Sequence, residues 1–239
     1  RKPTIDQYAD YLAAFVKLRF KKKRITIVAI SFGFVVATRM LQKYPELTNK
    51  VDLLVSEVGF VHKDDFVYSK STALAFRYIL RFFGIRPVSA FIRFVTFNKP
   101  VVRFIYSHAP NSKRRMVEVT PEQFDESIDL EVKMWRANDF RTHNITNSDF
   151  FRLDNCTKRI NIPVHHVVSK EDHYFDNETV KQHMLVVFSG YKQYLMHSKA
   201  HTPSVVADKK DMSVMIPAGL KSCLLYTSDA ADDLPRVHL

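Results

Sequence analysis

Ser31 lies where an apolar run gives way to a helical pattern, within the stretch Ala29-Ile30-Ser31-Phe32-Gly33. A serine on a sharp turn between a buried strand and a helix, with small residues two positions before and after it, has the geometry of a nucleophile elbow. Small residues suit this turn because it is strained and closely packed. The following helix directs backbone N–H groups to where negative charge develops on a reacting carbonyl. The pattern therefore indicates nucleophilic catalysis at Ser31.

The same five residues also fit a simpler role, in which Ser31 only caps the N-terminus of the helix that follows it. The first small position holds Ala29 rather than the usual glycine, although a methyl group can still fit there. Both interpretations require a strand before Ser31 and a helix after it.

The elements around Ser31 are predicted from hydrophobic patterning. Residues 25–30 are apolar and rich in β-branched side chains, which is typical of a strand covered on both faces of a parallel sheet. The helix after Ser31 should end near Tyr44, because Pro45 follows it. A second strand over residues 51–60 completes a strand-helix-strand unit, and its crossover should be right-handed.

The rest of the chain divides by its periodicity. An amphipathic helix is predicted over residues 6–20, before the first strand. From about residue 63 the strand-helix alternation stops, and four helices are predicted over residues 69–83, 89–97, 99–108 and 120–137. Alternation resumes with a strand over 161–170, a helix over 177–188, a strand over 191–198 and a helix over 202–209 that Thr202 would cap.

Composition bounds the class of protein. The chain has 239 residues, of which 46% are hydrophobic, enough for one sizeable core. No apolar run of about 20 residues is free of charge, so no membrane-spanning helix is expected. With only Cys156 and Cys223 and no histidine in a ligand motif, the sequence predicts no disulfide framework, no metal site and no cofactor.

Charge is concentrated in one segment. The formal net charge is +11, and residues 66–117 contain no Asp or Glu. Such a segment suits an anionic surface or an acidic ligand. Nucleic acid is not an expected partner, because no recognised nucleic-acid motif accompanies the basic and aromatic residues. The basic residues of the segment are Lys70, Arg77, Arg81, Arg86, Arg93, Lys99, Arg103, Lys113, Arg114 and Arg115.

From about residue 5 to residue 220 the layout resembles the α/β-hydrolase superfamily, in which the nucleophile, a helical cap, an acid and a histidine follow one another along the chain. The resemblance implies an α/β-hydrolase fold, a mostly parallel sheet flanked by helices, with an inserted helical cap and with its N-terminal strands missing. The implied domains are a first core part over 1–62, the cap over 63–150 and a second core part over 151–222.

The resemblance also assigns roles. It implies Ser31 as nucleophile, Asp172 as the acid after a late strand, and His201 as the base after the last strand. The backbone N–H of Phe32 would be one donor of the oxyanion hole. Glu57, at the end of the second strand, is the alternative acid.

Two residues near these positions have simpler interpretations. Asp176 precedes a predicted helix and is expected to be its N-cap rather than the acid. His197 falls within or at the edge of the last strand, where a packed or exposed histidine is expected.

The implied function is hydrolysis of a carboxylic ester through an acyl-enzyme, on a small-molecule substrate with an apolar or lipid-like acyl group. The same three residues could also hydrolyse thioesters, amides and other bonds. The alternative is a catalytically silent protein of this fold that binds a ligand or an anionic membrane through its basic cap. The expected location is cytoplasmic, with peripheral contact to an anionic membrane. Aromatic cap residues favour an apolar pocket or a membrane-facing lid: Phe76, Phe82, Phe83, Phe91, Phe94 and Phe97.

The C-terminal stretch differs from the sequence before it. Residues 223–232 match in order the translation of a transposase adapter used to build sequencing libraries. The alternative is an ordinary polar tail. We expect residues 223–239 to be a non-native tail and exclude them from the fold prediction.

Overall fold

The computed structural model describes residues 4–108, 121–170, 172–196 and 216–229. Helices and strands are numbered in the order of the described chain. The helices are α1 (Ile5–Arg19), α2 (Phe32–Lys43), α3 (Lys70–Phe83), α4 (Arg86–Thr96), α5 (Lys99–His108), α6 (Pro121–Ala137), α7 (Phe140–Phe150), α8 (Asn177–Val187) and α9 (Ala218–Asp229). The strands are β1 (Ile25–Ile30), β2 (Val51–Glu57), β3 (Ile160–Val168) and β4 (Phe188–Leu195), with 3-10 turns at Pro45–Lys50 and Lys63–Asp65.

These elements form two compact units. The sheet unit contains Ile5–Val67 and the described residues from 153 onward, and the helical unit contains Thr4 and the described residues of Tyr68–Arg152. The division into catalytic core and cap predicted from the sequence stays a prediction, because it concerns the roles of these segments as well as their limits.

The sheet is parallel throughout, in the order β1-β2-β3-β4. Ile30 is in register with Glu57, Glu57 with Val167, and Val167 with Tyr194. The carboxyl ends of the four strands therefore meet at one edge of the sheet, which is where open α/β sheets bind their ligands.

Helices cover both faces of β2. Leu53 and Val55 pack in one cluster with Leu220 of α9. Successive side chains of a strand point to opposite faces, so Leu54 and Ser56 belong to the other face. Both are fully buried there, and a side chain built on Gly59 would touch Ser56 and Phe34 of α2.

β1 is less buried than its apolar sequence predicts. Ala29 is its only buried residue, and Val28 is 47% exposed. Within the described sheet β1 pairs only with β2, so it is an edge strand. The prediction of a strand covered on both faces is therefore wrong for β1 in this structure.

In the helical unit, α3 packs against α7, and α5 packs against α6. The predicted helices over residues 69–83, 89–97 and 120–137 are present with shifted ends, and the helix over 99–108 has the predicted ends. The sequence analysis missed α7, whose first turn is capped by Asp139. The predicted helix over 202–209 lies outside the described residues. None of the described helices combines the length and apolar character that crossing a membrane requires.

Candidate active site

Ser31 stands between β1 and α2 with a strained backbone. Its φ of 47° and ψ of −114° place it in a region that side-chain-bearing residues rarely adopt. Two backbone hydrogen bonds fix this conformation: Ser31 N–H donates to Glu57 O at 2.9 Å, and Phe34 N–H donates to Ser31 O at 3.0 Å. Strain of this kind persists only where neighbouring structure enforces it, and it concentrates at functional sites.

The alternative role of Ser31 as a helix cap is not supported. Its side chain makes no capping hydrogen bond to the N-terminal amides of α2. By contrast, Ser69, Asp139 and Asp176 each accept a hydrogen bond from the first turn of their own helices. For Asp176 this confirms the N-cap predicted from the sequence.

The flanking small residues fit the turn. A Cβ built on Gly33 would lie 4.0 Å from the Cβ of Ala29, an ordinary contact distance. The alanine that replaces the usual first glycine therefore fits this turn without a clash.

The first turn of α2 begins directly after Ser31. The first N–H groups of a helix have no intrahelical acceptor, and the helix dipole places partial positive charge there. Phe32 is the first residue of α2, so its N–H belongs to this group. Its ring lies edge-on to Tyr8 of α1 at 5.6 Å between ring centroids, which helps to fix the start of the helix.

A second strained residue follows the next strand. Val58 has a φ of 44° and is buried, and its N–H donates to Val167 O at 2.9 Å. Positive φ is an outlier for a β-branched residue. Ser31 and Val58 are the two non-glycine residues with positive φ in the described chain, and they lie at the carboxyl ends of adjacent strands.

Glu57, the alternative acid, is the last residue of β2. It is buried, and burial raises the pKa of its carboxyl above the ordinary glutamate value. A carboxyl with a raised pKa is harder to ionise. This environment disfavours Glu57 as the anion that would stabilise a protonated histidine.

Asp172, the predicted acid, follows β3. Its Oδ1 accepts hydrogen bonds from the backbone N–H groups of Tyr174 at 2.8 Å and Phe175 at 3.2 Å. These two bonds fix the carboxyl group within the loop between β3 and α8. His166 is fully buried, and burial lowers its pKa to about 3. The Asp172 carboxylate raises this pKa, but its effect is smaller than that of burial.

The predicted base lies outside the described residues, as does His197. β4 ends at Leu195, and Met196 N–H donates to Val168 O at 3.0 Å. The chain therefore leaves β4 beside the end of β3, the strand that leads to Asp172. His201 is five residues beyond Met196.

The sequence analysis missed a polar cluster in the sheet unit. The fully buried carboxylate of Asp65 accepts from Val61 N–H at 2.8 Å and His62 N–H at 2.9 Å through Oδ2, and its Oδ1 lies 2.5 Å from Nδ1 of His183. The rings of His62 and His183 lie 4.4 Å apart. These contacts tie the segment after β2 to α8. No local signal could reveal them, since Asp65 and His183 are 118 positions apart.

No protein-family model matches the sequence, and no curated protein matches it. Solved structures match its fold. A hydrolase from Oleispira antarctica superposes with a TM-score of 0.58 at 11% identity, over 94% of this chain and 71% of that one. A thermophilic esterase gives 0.54 at 16% identity, over 95% and 75%. An N-acyl homoserine lactonase complexed with N-butanoyl homoserine gives 0.53 at 16% identity, over 98% and 73%.

Proposed function

The chain has the α/β-hydrolase fold, as its sequence predicts, and on this premise we propose that it is a serine hydrolase that cleaves carboxylic esters through Ser31, Asp172 and His201. The observation that carries the proposal is the strained backbone of Ser31 at the carboxyl end of β1. This turn presents a hydroxyl at the strand ends and begins a helix directly behind it.

In the first half of the reaction, Ser31 Oγ attacks the acyl carbonyl carbon while His201 accepts the hydroxyl proton. The carbonyl oxygen becomes an oxyanion, and the N–H of Phe32 at the positive end of α2 stabilises it. The tetrahedral intermediate then expels the alcohol, which takes the proton from His201. The product is an ester between Ser31 and the acyl group.

In the second half, a water molecule attacks the acyl-enzyme and His201 accepts its proton. The second tetrahedral intermediate is stabilised by the same N–H of Phe32. It collapses to release the carboxylic acid, and His201 returns the proton to Ser31 Oγ. Asp172 holds the imidazole in the required tautomer and stabilises its protonated form in both halves.

The surroundings of the two carboxyl groups favour Asp172 over Glu57 as the acid. Two backbone N–H groups donate to Oδ1 of Asp172, an arrangement that stabilises an ionised carboxylate. Burial raises the pKa of Glu57, which acts against its ionisation.

The proposed substrates are small esters with an apolar or lipid-like acyl group. Residues 63–150, the cap predicted from the sequence, are rich in Phe and Tyr, which favours an apolar acyl group. N-acyl lactones are a second class worth testing, because a lactone is a cyclic ester and a lactonase is among the proteins of similar fold. A series of p-nitrophenyl esters of increasing chain length would be compared with N-acyl homoserine lactones.

The first test is labelling with a fluorophosphonate probe, which reacts with activated serines. Wild type, Ser31→Ala and a matched control, Ser107→Ala, would be compared. Ser107 lies exposed on α5, and its hydroxyl donates to Arg103 O one turn earlier in the same helix. The proposal expects labelling in the wild type and in the control and none in Ser31→Ala. A folded wild type that stays unlabelled, or labelling that persists in Ser31→Ala, would overturn it.

A further inference from the structure

α3 carries apolar side chains on the face that is exposed. Leu74, Tyr78 and Phe82 recur every four residues and are each at least half exposed. Residues spaced by four lie on one face of a helix, so these three form a stripe. No residue of α3 is buried, although the helix packs against α7. The exposed face of α3 is therefore rich in apolar side chains, unlike that of an ordinary surface helix.

α4 repeats this arrangement. Phe91 is 66% exposed and Phe94 is 86% exposed, with the exposed Val95 beside them. The one buried residue of α4 is polar, Ser89. Only Gly84 and Ile85 separate α3 from α4, and a Cβ on Gly84 would lie 2.8 Å from Ile145 Cγ1 of α7. This close approach brings both helices onto α7, so their exposed stripes lie on faces that α7 leaves uncovered.

The charged side chains that belong to α3 and α4 themselves are all basic. α3 and α4 contain no acidic residue. Burial raises the pKa of Asp149 on α7, and the nearby charges of Arg77 and Arg81 partly offset this increase. α5 differs, because its Lys99 and Arg103 form ion pairs with acids of α6. We therefore define the α3–α4 surface by the exposed residues Leu74, Tyr78, Ile79, Phe82, Ile85, Phe91, Phe94 and Val95 and the basic residues Lys70, Arg77, Arg81, Arg86 and Arg93.

We infer that the α3–α4 surface binds an anionic lipid bilayer, lying in its interface rather than crossing it. Helices with an exposed Phe-rich stripe and basic flanks bury the stripe at the boundary between headgroups and acyl chains. Lys and Arg side chains near an anionic bilayer add electrostatic attraction to its headgroups. This binding is independent of Ser31 and of the proposed reaction.

Charge complementarity selects this occupant over two others. A second copy of the chain would bring one set of five basic residues against another, which opposes association. A nucleic acid would contact the basic residues through its phosphates but would leave the apolar stripes largely in water. An anionic bilayer satisfies both features of the surface.

The experiment is flotation of the chain with vesicles of phosphatidylcholine alone and of phosphatidylcholine mixed with phosphatidylglycerol. The variants are Phe91→Ser with Phe94→Ser, and Lys70→Gln with Arg86→Gln. The control is Tyr11→Ser with Leu18→Ser on α1, where the side chains are 75% and 68% exposed. Circular dichroism would confirm that all variants are folded.

Binding is expected only with phosphatidylglycerol, and it should weaken as salt rises. The Phe91→Ser, Phe94→Ser pair should lower partitioning at least about tenfold, because it removes two large apolar side chains from the buried stripe. Lys70→Gln with Arg86→Gln should also lower partitioning, whereas the control pair on α1 should leave it unchanged. Equal binding to both vesicle types, or unchanged binding of both variant pairs, would overturn the inference. The inference would also be overturned if the phenylalanine pair abolished self-association and left vesicle binding unchanged.

Discussion

The backbone N–H of Ser31 donates a 2.9 Å hydrogen bond to the carbonyl oxygen of Glu57. This bond links the turn after β1 to the end of β2 and helps to hold Ser31 at a φ of 47°. The strained conformation is thus maintained by the sheet, and its cost can be measured separately from the chemistry of the hydroxyl.

Ser31→Gly should be more stable than Ser31→Ala. Glycine adopts positive φ without steric cost, whereas alanine retains a Cβ. Removing strain contributes about 1–3 kcal/mol, and the extra backbone entropy of glycine opposes it by about 0.5–1 kcal/mol. We expect Ser31→Gly to exceed Ser31→Ala by about 1 kcal/mol in the free energy of unfolding, measured by urea denaturation. Equal stabilities would mean that Ser31 is not strained in solution.

Alanine substitutions at two glycines near the turn should change the stability of the fold in opposite directions. A Cβ on Gly59 would clash with Ser56 Oγ and would lie 2.7 Å from Phe34 Cδ1. Among the described residues, the nearest atom to a Cβ on Gly33 is the Cβ of Ala29 at 4.0 Å. Gly59→Ala should therefore destabilise by about 1–3 kcal/mol. Gly33→Ala should stabilise by up to about 1 kcal/mol, since alanine favours the helix. Thermal unfolding of the pair is the measurement, and comparable losses in both would contradict the packing described for Gly59.

The strand-turn-helix around Ser31 could be predicted because its signals are local: β-branched residues, a serine between small residues, and Pro45 after the helix. The close approach of Gly59 to Phe34 could not, because it depends on residues 25 positions apart. α7 was missed because its buried residues are polar, Asn144, Thr146 and Ser148, so no apolar period marks it. Its Asp139 cap was the only local signal.

The chain order was sufficient to predict which strand ends would lie at the site, because parallel strands bring their carboxyl ends together. The burial of β1 did not follow from its sequence. An apolar run favours a covered strand, but the pairing in the sheet decides whether a strand is central or at an edge.

The identity of the acid can be decided with two isosteric variants. If Asp172 orients the histidine, Asp172→Asn should lower kcat by about 10³–10⁴, because the amide stabilises the wrong tautomer. Glu57→Gln should leave kcat within a few fold. Ester hydrolysis at saturating substrate is the measurement, and the reverse order of effects would transfer the role to Glu57.

Glu57→Gln also has an expected effect on stability. Because burial raises the pKa of Glu57 in the folded state, its favourable contribution is present below the ordinary pKa of 4.5 and is lost as the pH rises. The variant should remove this loss, so its stability relative to wild type should increase from pH 4 to pH 8 in urea denaturation. A constant difference would mean that Glu57 is not desolvated in solution.

The buried imidazole of His166 should destabilise the fold in acid. Its pKa falls from the ordinary 6.5 to about 3 because burial disfavours the charged form. Above pH 6.5 both the folded and the unfolded states are neutral at this position. Below it the unfolded chain binds a proton that the folded chain excludes, so stability should fall by up to about 1.4 kcal/mol per pH unit down to pH 3.

The test compares wild type with His166→Gln by urea denaturation between pH 7 and pH 4. Glutamine can still bond to the hydroxyl of Tyr191, which lies 3.2 Å from Nδ1 of His166. The variant need not match the wild type in absolute stability, because only the slope with pH reports on the proton. A shallower slope is expected in the variant, although not a flat one, since burial also lowers the pKa of His62, His143 and His165. Identical slopes would show that the folded state does not lower the pKa of His166.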